Sequence, residues 1–491
     1  MNPIDASQTQ IDHALTTAVE AYSVYRHTAP SERLKLLSTI AQLIEQSRAQ
    51  LVAAAASESH LTETRLNNEL NRTIFQLETY GAACQKGYCL EASLDHDPSA
   101  QPAKPDIRKI LIPLGPVVVF GSSNFPFAYS TAGGDTASAL AAGCPVVVKA
   151  HPAHPETSTL MAKCVTDAVA ICGLPAGVFQ HVFGASFEVG KWLVQHPYTA
   201  AVGFTGSFTG GKQLVDWAAA RRNPIPVFAE MGSLNPVFLL PEKLNLSHTE
   251  IANQLVNSFT LGVGQFCTKP GFIIGIKDLA WDSFLNELSA LTSSISPAPL
   301  LHNGIASSFE KNTELILQQP GIRILARGSA PSKPGEGSPV IVQVNAADWL
   351  SNSLLQEENF GPFTMVIQCN DAIEILAVAK HLEGQLTGTI FATEQELMEN
   401  RALVSMLEIR CGRLIFNGVP TGVEVCKSMQ HGGPFPATSD ARFGAVGEDA
   451  IRRFLRPIAY QNWPDALLPL PLQTKNPLAI PRFINGVLQP Q

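Results

Sequence analysis

From residue 116 onward the chain alternates short apolar runs with helix-length amphipathic stretches. The runs are VVVF at 117–120, PVVV at 145–148, FQHVF at 179–183, AAVGF at 200–204 and PVFA at 226–229. Most positions in them are apolar without alternation, the pattern of strands buried on both faces. Between them, 130–142, 155–172, 186–196 and 209–221 are each long enough for a helix. Five runs in regular alternation predict a doubly wound parallel sheet of nucleotide-binding type. Past Gly232 the pattern restarts, with strands expected at 235–240, 272–276, 364–368, 387–391 and 413–416 and helices such as 279–292 and 371–383. The fold class is therefore α/β with a second α/β domain.

The flanks differ. Ala, Leu and Ile recur at helical spacing over 10–58, with Pro30-Ser31-Glu32 as a start signal inside this lead-in. Residues 95–109 are polar and Pro-rich and separate the lead-in from the strand pattern. The stretch 326–339, ARGSAPSKPGEGSP, is expected to be an exposed excursion, and the Pro- and Leu-rich tail from Pro464 a strap over a surface.

Composition narrows the class. A chain of 491 residues with 45% apolar and 15% charged side chains supports two or three folded domains and excludes disorder. So low a charged fraction also points to surface hidden in a subunit contact. A net charge of −8 without a Lys/Arg run gives no footprint for nucleic acid. No basic segment followed by an apolar one opens the chain, and no apolar run is long enough to span a bilayer, so a cytoplasmic protein with no membrane partner is expected. Nine scattered cysteines without a CxxC pair argue against a disulfide framework, and no His/Cys spacing suggests a metal.

The candidate chemistry lies at predicted strand ends. The loop FTGSFTGG at 204–211 follows the fourth run and opens a helix, so glycines and free N–H groups there suit a pyrophosphate, although such a turn is also an ordinary connector. Lys149 ends the second run, where a contact to a nucleotide competes with a solvated-loop role. Pro152 stands where an acid could hold a ribose 2′-hydroxyl, so nothing there repels a 2′-phosphate. Glu230 ends the fifth run, either as a buried structural carboxyl or as a working one. Asn124 follows the first run as a turn former or as an amide donor to an oxyanion. Cys267, in the Gly-rich stretch GQFCTKPG, is a candidate nucleophile.

Together these stretches resemble the aldehyde dehydrogenase superfamily over nearly the whole chain. The resemblance rests on GSSNFP at 121–126, VVK at 147–149, FTGS at 204–207, EMG at 230–232, GQFC at 264–267 and ENFGP at 358–362. Met231, Ser233 and Asn359 depart from the family's common residues, and none of them removes a catalytic group. The resemblance implies that Cys267 attacks the aldehyde carbon, that Asn124 and the Cys267 N–H hold the oxyanion, and that Glu230 activates the water that hydrolyses the thioester. It implies NADP or NAD as cofactor, with Lys149 at the adenosine ribose, Gly206, Ser207 and Gly211 at the pyrophosphate, and Met231, Glu358 and Phe360 beside the rest of the dinucleotide. Phe125, Phe266 and Thr268 are expected to line the aldehyde tunnel. No histidine adjoins Cys267 in sequence, so backbone dipoles and the positive nicotinamide are expected to favour its thiolate.

The resemblance also implies an organisation. An NAD(P)-binding domain is expected over 1–95 and 114–231, a catalytic domain over 232–440, oligomerisation strands near 96–113 and 452–463, and the strap at 464–491. A homodimer or homotetramer follows. Residues 132–155, HGGPFPATSD at 431–440 and the carboxyl end 476–486 look like the branch that holds 2-oxoglutarate semialdehyde (2,5-dioxopentanoate) dehydrogenases. NADP-dependent long-chain fatty aldehyde dehydrogenases are a related branch and the alternative. An esterase role is also open, since the same thiolate can be acylated by an activated ester. A silent structural or binding protein of this fold need not keep nucleophile, base and amide together, and this chain has all three.

Overall fold

The computed structural model describes residues 4–97, 99 and 104–490. The first sheet has five parallel strands in the order Phe179–Val182, Val146–Lys149, Val117–Phe120, Ala201–Thr205 and Val227–Glu230. Successive side chains go to opposite faces, and both faces are covered. Val117, Val119, Val146 and Val148 join one core with Leu36, Ile40 and Leu140. Val118, Phe120, Val147 and Val202 join another with Ile11, Leu15 and Leu193. That two-sided burial is why these strands carry unbroken apolar runs. The chain leaves Val117–Phe120 to one side for two strands, then returns to its other side at Ala201–Thr205. The reversal opens a crevice at the carboxyl edge, where ligands of such sheets bind.

The second sheet has seven strands in the order Arg323–Arg327, Val340–Asn345, Phe363–Cys369, Phe272–Ile276, Val237–Leu239, Gln385–Phe391 and Cys411–Phe416. The pairings are parallel except that of the edge strand Arg323–Arg327 with its neighbour, which is antiparallel. Two of these strands flank the stretch expected to be an excursion. Residues 329–334 are exposed as foreseen, but they form the turn that carries the chain from Arg323–Arg327 into Val340–Asn345.

A third sheet stands apart. Its order is Leu455–Gln461, Ile107–Pro113, Ser93–Asp95, Arg482–Ile484 and Val487–Gln489. Leu455–Gln461 pairs antiparallel with Ile107–Pro113 over the full length of both. Residues 98 and 100–103 of the segment expected near 96–113 lie outside the described residues. The tail is more than a strap: it supplies a two-strand hairpin turned at Asn485-Gly486, both with positive φ, as a tight hairpin turn requires. Its Leu468, Leu472 and Ile480 bury against Leu94 and Ile110. Among the described residues, no helix is long and apolar enough to cross a membrane.

The lead-in contains the helices Gln8–Tyr25, Pro30–Gln46 and Arg48–Ser59, and a fourth, Glu63–Lys86, continues it past 58. The Thr62 hydroxyl caps the fourth helix by accepting from the Arg65 N–H, and Gly87 ends it at φ 74°. Its buried face mixes Leu66, Leu70, Leu77 and Tyr80 with Glu69, Thr73 and Gln76. Those three polar side chains interrupt the apolar stripe by which sequence patterning finds a helix.

Candidate active site

The loop that carries Cys267 is held from several sides. It follows a turn in which Gly262, Val263 and Gly264 have φ of 57°, 57° and 67°. A β-branched residue in that region is strained, at a cost of about 1–3 kcal/mol. A side chain on Gly264 would collide with the Gly361 carbonyl, so the loop passes directly beneath the turn at 358–362. Buried Asn235, itself at φ 44°, donates through Nδ2 to the carbonyls of Cys267 at 2.8 Å and Lys269 at 2.9 Å. Lys269 is buried and donates through Nζ to the carbonyls of Asn359 at 2.8 Å and Phe363 at 2.9 Å. Ser233, a departure from the family pattern, donates its hydroxyl to Gln385 Oε1 at 2.9 Å and accepts the Leu386 N–H at 3.0 Å.

Around the thiol the groups come from distant segments. Asn124 Nδ2 donates to the Gln265 carbonyl at 3.1 Å, which brings its amide to the loop that carries Cys267. Cys267 Sγ lies 3.7 Å from Nε2 of His431, a contact across 164 residues of sequence. Burial pushes the Cys267 thiol up to about 12, with Glu230 and Glu358 adding to the shift. Burial lowers His431 to about 3, with Arg72, Arg413 and Arg453 contributing. The unliganded pair is therefore a thiol beside a neutral imidazole. Without bound nucleotide, the enclosing walls and two carboxyl groups outweigh the backbone dipole at the loop and act against the thiolate, which leaves the positive nicotinamide of the expectation to favour it.

Glu230 is 7% exposed, more enclosed than its strand-end position required, and burial raises its carboxyl well above the ordinary range. Its Oε2 is buried without a hydrogen-bond partner among the described residues. The segment HGGPFPATSD covers this strand: Met231 N donates to the Ala437 carbonyl at 2.8 Å, and Ser439 N to the Ala229 carbonyl at 3.0 Å. A carbon added to Gly432 would sit 3.6 Å from Glu230 Oε1, so the backbone there comes close to the carboxyl.

A dinucleotide fits the crevice. Ser207 caps the helix Phe208–Ala219 by accepting the Gly210 N–H at 3.3 Å, which leaves the first N–H groups of that helix free for an anion. Gly206 donates its N–H to the Glu230 carbonyl at 3.0 Å, tying this loop to the catalytic strand. A side chain on Gly211 would meet Met231 at 2.6 Å, so the helix packs closely on the sheet. Lys149 ends its strand half-buried, and burial lowers its ammonium to about 8. Glu358, raised by burial, lies against Gly232, where any side chain would collide with its Oε2. Phe360 is half-buried in the same loop.

A cavity of about 210 Å³ leads to Cys267 and is lined by Phe125, Tyr129, Phe266 and Thr268, the last almost wholly buried. The Phe125 ring meets Tyr129 at 5.2 Å and Phe266 at 5.3 Å, both edge to face. Arg65, Glu69 and Arg72 also line it. Sequence reasoning missed these three, together with Asn235, Tyr129 and the contact of His431 with the thiol. A signal for the two arginines did exist, because a spacing of seven puts them on one helical face.

Comparison with known proteins identifies the family. The model of the aldehyde dehydrogenase family matches residues 2–444. An alpha-ketoglutaric semialdehyde dehydrogenase of Acinetobacter baylyi is 44% identical over 98% of this chain and 92% of its own. Alpha-ketoglutaric semialdehyde dehydrogenase 2 of Azospirillum brasilense is 43% identical over 99% of this chain and 94% of its own. Among solved structures, a methylmalonate-semialdehyde dehydrogenase from Oceanimonas doudoroffii superposes with a TM-score of 0.80 at 20% identity, covering 94% of this chain and 92% of that one. A glyceraldehyde-3-phosphate dehydrogenase from Methanocaldococcus jannaschii, complexed with NADP, gives 0.79 at 20% identity, covering 94% and 95%. With a family model spanning nine-tenths of its length and all six motifs in place, the chain belongs to the aldehyde dehydrogenase family.

Proposed function

We propose that this protein oxidises 2,5-dioxopentanoate to 2-oxoglutarate with NAD(P). The observation that carries the reading is a thiol that lines an aromatic-walled pocket, with an amide, an imidazole and a buried carboxyl drawn to it from three other segments of the chain. The two relatives above 40% identity, both named as acting on this semialdehyde, support the substrate. Two cationic side chains against one carboxyl group in the pocket lining favour an anionic aldehyde over a long neutral one.

Cys267 loses its proton to solvent and attacks the aldehyde carbon as the thiolate, with His431 Nε2 3.7 Å from Sγ. The Asn124 amide and the Cys267 N–H hold the oxyanion. Bound NAD(P) supplies the hydride acceptor. Glu230, once ionised, takes a proton from the water that cleaves the thioester and frees Sγ. Lys149, Gly206, Ser207, Gly211, Met231, Glu358 and Phe360 form the dinucleotide site. With Pro152 and His151 beside Lys149 instead of an acid, NADP is accepted, and discrimination against it stays below about tenfold, or 1.4 kcal/mol. A homodimer or dimer of dimers is proposed through the third sheet, whose Phe483, Val487 and Leu488 are exposed.

The test is product formation. Wild type with 2,5-dioxopentanoate should yield 2-oxoglutarate and reduced nucleotide in equal amounts, and Cys267→Ala should yield neither. Turnover by Cys267→Ala at the wild-type rate overturns the mechanism.

A further inference from the structure

The helix Glu63–Lys86 presents Arg65 and Arg72 to the pocket, two turns apart on one face. They use their donors differently. Arg72 donates to the Val423 carbonyl through Nη1 and to the Tyr129 hydroxyl through Nη2 at 3.2 Å, so it braces two walls. Arg65 donates through Nη2 to the Asn124 carbonyl at 2.8 Å, while its Nε and Nη1 donate to none of the described residues. Its guanidinium is clamped 4.8 Å from the Phe125 ring centre and 4.7 Å from that of Phe266, two rings at 90° to each other. The clamp fixes a planar cation at the pocket wall at little further entropic cost on binding.

The charges around it do not cancel. Glu69 Oε2 is 3.8 Å from Arg65 Nη2. Its Oε1 already accepts from the N–H groups of Phe127 at 2.8 Å and Ala128 at 3.0 Å, and burial raises its carboxyl. Arg413 adds a further guanidinium nearby, occupied with the carbonyls of Gly422 at 3.1 Å and Pro420 at 2.8 Å on the pocket rim. Among the residues that line the cavity, two guanidinium groups stand against one carboxyl group that burial raises, which leaves a positive surplus at this wall that an anionic end of a ligand would neutralise.

We propose that Arg65 is a specificity-determining residue that receives the carboxylate of the aldehyde substrate, while Arg72 positions the pocket walls. The proposal rests on the reading of the substrate as an anionic semialdehyde. Because Arg65 also holds the backbone of Asn124, it ties recognition of the substrate's far end to the group proposed to hold the oxyanion. A carboxylate there gains charge-assisted hydrogen bonds to Nε or Nη1, and a neutral tail of the same length leaves them unmade.

The experiment compares 5-oxopentanoate with pentanal, which differ in having a carboxylate or a methyl at the far end. Wild type is expected to favour 5-oxopentanoate in kcat/KM by about 30-fold or more, near 2 kcal/mol. Arg65→Met should lower that ratio at least tenfold, mainly by weakening apparent binding of the anionic aldehyde rather than its turnover, and Arg65→Lys should keep an intermediate ratio. Glutarate should compete with pentanal in wild type and more weakly in Arg65→Lys, a readout that stands even if Arg65→Met does not fold. A ratio unchanged in Arg65→Met, with both activities falling together, means a purely structural role and overturns the proposal. Glutarate that fails to compete in wild type overturns it as well. A wild type without preference for 5-oxopentanoate overturns the anionic-substrate reading and the proposal with it, so the two failures are told apart.

Discussion

Cys267 is held as a thiol until something in the pocket changes, and that has a measurable form. Alkylation of the free enzyme by iodoacetamide should be slow at pH 7 and rise about tenfold per pH unit up to pH 9, because the thiol titrates near 12. A rate flat across that range contradicts the assignment. Asn124→Ala should lower kcat about 10²- to 10³-fold if the amide holds the oxyanion, with nucleotide binding retained by fluorescence titration. Glu230 makes a separate prediction. Its carboxyl titrates above the ordinary range when folded, so the unfolded chain loses that proton at lower pH than the folded one. The contribution therefore favours the folded state below the ordinary carboxylate range and is lost as pH rises through the folded value. Glu230→Gln should stall at the acyl-enzyme and yet melt about 2–4 °C above wild type at pH 8, the gap closing toward pH 5. Cys267, Glu230 and Asn124 could be singled out in the sequence because each sits at the end of an apolar run or in a Gly-rich turn. Asn235 and the pairing of His431 with the thiol could not, since their partners are tens to hundreds of residues away, and the spacing that puts Arg65 and Arg72 on one helical face does not say that this face meets Cys267.

The elements that hold the site depend on close backbone approach and on buried donors. Asn235→Ala leaves the carbonyls of Cys267 and Lys269 without their donor and removes a residue type that tolerates positive φ. It should cost roughly 2 kcal/mol in stability and lower kcat more than KM, measured by thermal melting and steady-state kinetics. Gly232→Ala would push a methyl into Glu358 Oε2. It should raise the KM for nucleotide about tenfold or more if Glu358 belongs to the cofactor site, and an unchanged KM would detach Glu358 from that role. The doubly wound sheet was legible because burial on both faces leaves unbroken apolar runs. The helix Glu63–Lys86 was not, because Glu69, Thr73 and Gln76 sit on its buried face. The stretch 326–339 reads as an excursion for a related reason: its polar residues 329–334 form the turn between the strands Arg323–Arg327 and Val340–Asn345 that flank it.

Across the whole molecule, one α/β sheet offers the crevice proposed for the dinucleotide, a second carries the loop of the proposed nucleophile, and the segment 430–440 closes over the junction. The third sheet gathers residues from 93–95, 107–113, 455–461 and 482–489, and its tail hairpin was read only as a strap because three-residue strands leave no periodicity to detect. Val487→Glu on that hairpin should shift the oligomer toward smaller species by light scattering if the sheet forms the subunit contact. The central claim is oxidation of an anionic semialdehyde at Cys267. Its most direct test is the ratio of kcat/KM for 2,5-dioxopentanoate to that for decanal, with NADP at saturation. A ratio of about 100 or more is predicted, a difference of about 2.7 kcal/mol; equal efficiencies, or a preference for decanal, would contradict it.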